Sequence, residues 1–108
     1  MNTEIASLAW HDVGAPDDFP DGNVWPVLAD GQAIAVFRLG DDLFALKDLC
    51  THGAARLSDG WVEDGCVECP LHQGTFDIRT GAACQAPATE AVRRFPVRVT
   101  AGRVEVGV

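Results

Sequence analysis

The sequence predicts an all-β fold, because its apolar residues form short alternating or β-branched runs and no segment shows the periodicity of a long amphipathic helix. Eleven glycines and six prolines, with 22% charged residues, are typical of a turn-rich β protein. The 108 residues allow one domain of ordinary size, which we expect to span 1–108, with no second catalytic domain.

Six segments are predicted as strands, and turn signals that contain glycine separate most of them. The strands are Ile5–Trp10, Ala33–Leu39, Leu43–Lys47, Trp61–Glu68, Arg94–Thr100 and Arg103–Val108, and the turn signals are 30–31, 40–42, 64–65, 79–81 and 101–102. Pro96 cannot donate a backbone hydrogen bond, which predicts an edge position or a strand start. The last two runs alternate across a short turn and are predicted to form a hairpin.

The charge of the chain is strongly acidic and unevenly distributed. There are 16 acidic and 8 basic residues; residues 1–78 hold 14 of the acidic and 3 of the basic ones. Nucleic acids and anionic membranes both select a basic face, so we expect neither as a partner. Two interpretations of the acidic surplus stay open: a solvated surface that maintains solubility, or a docking face that steers a basic partner.

A cytoplasmic location is predicted from the amino-terminal and apolar segments. The first basic residue is Arg38, so no secretory signal is recognisable, and the longest aliphatic or aromatic stretch, 33–37, is far shorter than the ~20 residues of a membrane helix. In a reducing compartment, four cysteines are more often metal ligands or isolated thiols than a disulfide framework.

Two short loops contain the residues that indicate chemistry. They read Cys-Thr-His-Gly from Cys50 and Cys-Pro-Leu-His-Gln-Gly from Cys69, so each offers one thiolate and one imidazole. Zinc sites usually combine a cysteine pair with a separate histidine pair. One cysteine and one histidine in each loop suit two adjacent irons. One iron is bound by a sulfur from each loop and the other by a nitrogen from each loop, as in a [2Fe–2S] cluster with two histidine ligands. A zinc site, or unconnected core residues, is the alternative.

These two motifs resemble those of the Rieske family. The resemblance implies one Rieske-type [2Fe–2S] cluster, with Cys50, His52, Cys69 and His72 as the metal ligands. It also implies a Rieske fold, in which antiparallel sheets form a sandwich or barrel-like base and a smaller cluster-binding subdomain, approximately 47–87, carries both ligand loops. The stretch 85–87 is similar to the proline-containing loop that shields the cluster in this family.

The departures from the family pattern indicate the subfamily. Rieske proteins of respiratory complexes have a further cysteine in each ligand loop, where this chain has Ala55 and Leu71. They also have a serine and a tyrosine that donate hydrogen bonds to the cluster, where this chain has Gly74 and Phe76. Because such donors raise the reduction potential, their loss predicts a potential toward the lower end of the family range. The run from Cys66 to Thr89 looks most like the soluble ferredoxins of naphthalene and nitroarene dioxygenase systems.

The implied function is electron transfer rather than catalysis. The resemblance implies a monomeric one-electron carrier in bacterial aromatic hydrocarbon catabolism, with a flavin-dependent ferredoxin reductase and a terminal oxygenase as its partners. We expect His52 and His72 at an exposed tip, where electrons exchange. An oxygenase needs a second iron site with two histidines and a carboxylate, and only His11 is left over. A non-catalytic Rieske-like subunit, or a zinc-binding structural module of another redox complex, is the alternative function.

The remaining cysteines and the tryptophans are assigned no role in the cluster. Cys66 and Cys84 are expected to be buried free thiols, with Cys66 facing away from Cys69. His11 is expected at the surface or at a strand end, and the three tryptophans in the core.

Overall fold

A computed structural model describes residues 9–50, 55–70, 74–86, 88 and 90–108. In these ranges the chain forms eleven strands in three antiparallel sheets, and the only helical segments are two 3-10 turns, Pro16–Asp18 and Leu57–Asp59. No helix in the described ranges is long and apolar enough to span a bilayer. The predicted all-β class is therefore confirmed.

The eleven strands are divided among three sheets, and only the third sheet consists of consecutive strands. The first has the order β1 (Trp10–Gly14), β11 (Arg103–Gly107) and β10 (Val97–Thr100); the second has β2 (Val24–Ala29), β3 (Gln32–Leu39), β4 (Asp42–Lys47) and β9 (Arg94–Phe95); the third has β5 (Trp61–Glu63), β6 (Cys66–Glu68), β7 (Thr75–Asp77) and β8 (Ala83–Gln85). The predicted antiparallel pairing is confirmed, and the sheets of the described residues are open rather than closed into a barrel.

The second sheet is buried on both faces. In β3, Ile34 and Val36 pack into one apolar cluster, while Ala35 and Phe37 pack into another, and all four are inaccessible to solvent. Successive residues of a strand point to opposite faces, so a continuous apolar run is what a strand between two cores requires. The apolar cluster that contains Ile34 and Val36 also includes Val104 and Val106 of the first sheet. The apolar cluster that contains Ala35 and Phe37 also includes Val67 and Phe76 of the third sheet.

Three of the predicted turns have the backbone of tight hairpins. Residues 30–31, 64–65 and 101–102 each pair a non-glycine residue with a following glycine, and both residues have positive φ angles between 51° and 77°. Positive φ at both central positions defines the turn whose twist matches the flanking strands. These turns connect the antiparallel strands of the hairpins β2–β3, β5–β6 and β10–β11.

Several strand predictions need correction. The predicted strand Arg94–Thr100 is divided at Pro96, where the chain leaves β9 in the second sheet and enters β10 in the first. Strand β2 was not predicted because Pro26 interrupts its pattern, but β2 is an edge strand, where proline is tolerated. Strands β7 and β8 are three residues long and carry too little periodicity to detect. β1 begins at Trp10, where the predicted first strand ends; residues 1–8 lie outside the described ranges.

Gly81 connects the third sheet to the segment that precedes β9. Its N–H donates to the Asp77 carbonyl at 2.7 Å, and its own carbonyl accepts from the Val92 N–H at 2.8 Å. The φ of Gly81 is +80°, and a Cβ added there would lie 2.4 Å from the Val92 carbonyl oxygen. The position therefore excludes a side chain both by conformation and by contact.

We predict that Gly81→Ala lowers the free energy of unfolding by about 2–4 kcal/mol, through backbone strain and overpacking together. The matched control is Gly102→Ala, because Gly102 has a similar φ of +74° but no atom within 4 Å of the added Cβ. The control carries only the backbone cost, roughly 1–2 kcal/mol. Denaturant titrations of both variants measure the difference, and equal losses would show that the contact with Val92 is unimportant.

Candidate metal centre

Cys50 and Cys69 begin two loops that are closed in the same way. Cys50 follows the end of β4, and its N–H donates to the carbonyl of Ala55 at 2.8 Å. Cys69 follows β6 directly, and its N–H donates to the carbonyl of Gly74 at 2.7 Å. In both loops the acceptor lies five residues after the cysteine, so the two predicted ligand loops have equivalent bases.

The two cysteines share one apolar core, although they come from different sheets. Cys50 is 2% exposed and Cys69 is inaccessible. Members of the same core include Leu57, Val67, Phe76, Ala88 and Val92. Cysteine sulfur is the ligand that iron–sulfur clusters use in proteins. The arrangement suits a metal centre that takes one sulfur ligand from each loop.

The two predicted histidine ligands cannot be placed. His52 and His72 lie in 51–54 and 71–73, which are outside the described residues, as is Pro87 of the predicted shielding loop. Within the described ranges no group of three or more possible metal ligands occurs. The assignment of the four ligands therefore stays a prediction. Ala88, just beyond the predicted shielding loop, is buried in the core that contains Cys50 and Cys69.

Asp48 fixes the stem of the first loop, a role that the sequence alone did not indicate. Its side chain is fully buried; its two carboxylate oxygens accept hydrogen bonds from the Ser58 N–H at 2.7 Å and the Ser58 hydroxyl at 2.6 Å. Arg56 Nε lies 3.4 Å from the same carboxylate. The Asp48 N–H donates to the Ala33 carbonyl at 3.0 Å, which ties the stem to β3. The only sign of this role in the sequence is that an acidic residue lies two positions before the candidate ligand Cys50.

The expectation that Cys66 and Cys84 are buried is wrong. Cys66 is half-buried and Cys84 is exposed, and their Sγ atoms lie 3.9 Å apart. Val67 takes the inward position of β6, so Cys66 lies on the outer face. The expected separation from buried Cys69 is correct.

The positions of the three tryptophans and of His11 agree only partly with the expectations from the sequence. Trp61 is 59% exposed and so is not a core residue, whereas Trp10 and Trp25 are half-buried. His11 lies in β1 opposite Val106, half-buried and outside the ligand loops.

Comparison with known proteins identifies the family. The family model described as the Rieske [2Fe-2S] domain matches residues 9–96. The chain belongs to the Rieske family.

Several dioxygenase ferredoxins are similar to this Rieske protein along nearly the whole chain. The anthranilate 1,2-dioxygenase ferredoxin subunit of Burkholderia cepacia is 58% identical over 106 residues, covering 98% of each chain. The naphthalene 1,2-dioxygenase system ferredoxin component of Pseudomonas aeruginosa is 42% identical, covering 90% of this chain and 93% of its own. A chain in the solved complex of reduced oxygenase and oxidized ferredoxin in carbazole 1,9a-dioxygenase superposes with a TM-score of 0.85 at 39% identity, covering 90% of this chain and 91% of its own.

The described residues fit a Rieske [2Fe–2S] cluster. Such a cluster needs two cysteine sulfurs on one iron and two histidine nitrogens on the other. Cys50 and Cys69 supply two buried sulfurs from loops with equivalent bases, and the sequence offers one histidine in each loop. The cofactor of this Rieske protein is therefore a [2Fe–2S] cluster.

We predict that Asp48→Ala lowers the free energy of unfolding by about 2–4 kcal/mol, because it removes two hydrogen bonds to a buried carboxylate and leaves the Ser58 N–H without its acceptor. The variant should also retain less of the visible cluster absorption after heating. The control is Asp59→Ala, an exposed acid in the same segment, with an expected change within about 0.5 kcal/mol. Equal effects of the two substitutions would contradict the role of Asp48 in the loop stem.

Proposed function

We propose that this chain binds its Rieske cluster through Cys50, His52, Cys69 and His72 and carries single electrons from an NADH-dependent flavin reductase to the terminal oxygenase of an aromatic-ring dioxygenase system. The observation that carries the proposal is the pair of equivalent loops, each beginning at a buried cysteine in one shared core. The ferredoxin names of the relatives support it, since they match this chain along nearly its full length.

The residues of the chain support a carrier rather than an oxygenase. A bound [2Fe–2S] cluster supplies a site that accepts and releases one electron. Beyond His52 and His72 the sequence contains only His11, which lies in β1, so these residues cannot form a second iron site with two histidines. The chain is an electron-transfer ferredoxin, and the reaction with the aromatic compound occurs in its oxygenase partner.

Two residues near Cys69 support a low reduction potential. Gly74 closes the second ligand loop with its carbonyl and has no side chain, and Phe76 is fully buried in the core that contains both cysteines. Neither offers a hydroxyl donor, and hydrogen bonds to cluster sulfurs raise the potential. We therefore expect a value toward the lower end of the range of roughly −150 to +300 mV for such clusters.

An acidic face supports the reductase as the second partner. The outer side of the third sheet carries Glu63, Asp64, Glu68 and Asp77, and Trp61 beside them is largely exposed. A shallow groove on this side is lined by Trp61, Glu63, Asp64, Cys66, Glu68, Thr75 and Gln85. Charges of one sign on one face accelerate the encounter with an oppositely charged partner. We take this face as the surface that steers the reductase.

We also propose a cluster-binding subdomain, a monomeric state and a cytoplasmic location for this chain. The segment 47–87 contains both loops and the whole third sheet, which supports its role as the cluster-binding subdomain. We expect a cytoplasmic monomer, and gel filtration of the purified holoprotein measures the oligomeric state.

The ligand assignment predicts which substitutions remove the cluster. His52→Ala and His72→Ala should abolish the visible absorption and the paramagnetic signal of the reduced protein, because each removes an iron ligand. Cys66→Ser and Cys84→Ser are the controls and should leave both intact. The reverse pattern would contradict the assignment, and purified protein containing zinc instead of iron would favour a structural metal site.

The carrier function predicts coupled turnover. NADH, a flavin-dependent ferredoxin reductase and a terminal aromatic-ring oxygenase should form the dihydroxylated product only when the ferredoxin is present, and His72→Ala should fail to replace it. Product formation at an unchanged rate without the ferredoxin would contradict the proposal.

The steering face predicts a charge-dependent rate of reduction. The double variant Glu63→Gln/Glu68→Gln should lower the bimolecular rate constant for reduction by the reductase roughly 3–10-fold at low salt, and the difference should shrink as ionic strength rises. The control Asp41→Asn/Asp42→Asn makes the same charge change at exposed residues of the β3–β4 hairpin in the second sheet. Equal effects of both variants would assign the attraction to net charge rather than to this face.

A further inference from the structure

The outer face of the third sheet carries a close pair of thiols outside the predicted cluster ligands. The Cys66 thiol donates to Cys84 Sγ at an S–S distance of 3.9 Å, and the Cys84 thiol lies 3.6 Å from the Ala82 carbonyl, to which it also donates. Both cysteines are free, and Cys84 is exposed. An oxidant in solution can therefore reach the pair without entering the core.

Cys84 lies at a bulge in β8. The register pairs Phe76 with Ala83 but Thr75 with Gln85, so Cys84 is the extra residue between two paired positions. Cys66 pairs with Asp77 on the other side of β7, which places the two cysteines on the strands that flank β7. Bulges redirect a side chain relative to a regular ladder.

The spacing of the two sulfur atoms suits oxidation. A disulfide has an S–S length of about 2.05 Å, so the sulfurs must approach by roughly 1.9 Å. Cys84 lies at the bulge of β8, the edge strand of the sheet, and β7 separates it from Cys66. Neighbouring strands are about 4.8 Å apart, so closing the bond requires this edge to move toward β6 as well as rotation of the two side chains.

We propose that Cys66 and Cys84 form a reversible dithiol–disulfide site that is oxidised by low-molecular-weight disulfides such as oxidised glutathione. In the first step Cys84 loses its proton to solvent and its thiolate attacks one glutathione sulfur; the S–S bond of glutathione breaks, and one glutathione thiolate leaves and takes up a proton from solvent. In the second step the Cys66 thiol loses its proton to solvent and attacks Cys84 Sγ, which releases the second glutathione thiolate. The protein loses two electrons and two protons, and oxidised glutathione is reduced to two thiols.

The surroundings of the two thiols set the order of the steps. Burial raises the pKa of Cys66, and the hydrogen bond with Cys84 and the carboxylates of Asp77 and Asp64 add to this effect. Because the thiolate is the reactive form, Cys66 is the slower thiol toward an external disulfide. Cys84 is the exposed residue and reacts first, and Cys66 then resolves the mixed disulfide.

Formation of the bond would tie together two strands that lead to the cluster region. β6 runs directly into Cys69, and β8 runs into the residues before buried Ala88. The crosslink spans β7 on the face opposite Val67 and Phe76. This inference does not depend on the identity of the reductase or the oxygenase.

To test the proposal, the holoprotein is incubated with oxidised glutathione, and the state of each cysteine is determined by peptide mapping. After the remaining thiols are alkylated, combined cleavage after Glu68 and Arg79 places Cys66, Cys69 and Cys84 in three different peptides. The expected product is a link between the peptides of Cys66 and Cys84, formed with unchanged visible absorption and reversed by dithiothreitol. Cys66→Ser should instead accumulate glutathione on Cys84, and Cys84→Ser should show at least about tenfold less modification at Cys66.

Three outcomes would overturn the proposal. They are stable glutathione on Cys84 of the wild-type protein without the link, no modification of either cysteine, and a link that forms only in protein that has lost its visible absorption. Should Cys66→Ser fail to fold, Cys66→Ala provides the same comparison. The wild-type peptide map decides between a linked pair and two independent thiols in either case.

Discussion

The burial of the second sheet on both faces is the constraint on which the rest of the molecule depends. Because β3 contributes side chains alternately to two cores, the first and third sheets must cover opposite sides of it. The loop of Cys50 leaves β4 of this sheet, and Asp48 is hydrogen-bonded to Ala33 of β3. The core on the side of the third sheet then brings Cys50 and Cys69 together.

This arrangement explains how a small chain can hold a redox centre. Each ligand loop is closed at its base by a backbone hydrogen bond and begins at a cysteine that cannot move without disturbing the core. Sites on rigid elements keep their geometry better than sites on free loops, which suits a centre that must accept and release an electron with little rearrangement. The opposite face of the third sheet remains accessible and carries the acidic residues and the thiol pair.

The sequence predicted the fold class, the hairpin turns and the two cysteine loops, because each has a strong local signal. Glycine after an aspartate or alanine predicted the tight turns, and the mixed Cys/His spacing predicted the cluster. It did not predict β7 or β8, or that the strands on the two sides of Pro96 lie in different sheets, since these depend on pairing partners distant in the sequence. Burial of Cys66 and Cys84 was predicted wrongly because both lie on the outer face of the third sheet, which only the pairing of its short strands reveals. The contacts of Asp48 likewise depend on Ser58 and Arg56, which only the folded loop brings near.

The central claim is that one histidine from each loop completes a Rieske cluster with Cys50 and Cys69. Pulsed EPR of the reduced protein, prepared with natural and with ¹⁵N-labelled histidine, measures this directly. The account predicts hyperfine couplings from two nitrogen ligands, both of which change on labelling, whereas His52→Ala and His72→Ala should give no such paramagnetic signal. A paramagnetic centre without histidine nitrogen couplings, or with only one, would contradict it.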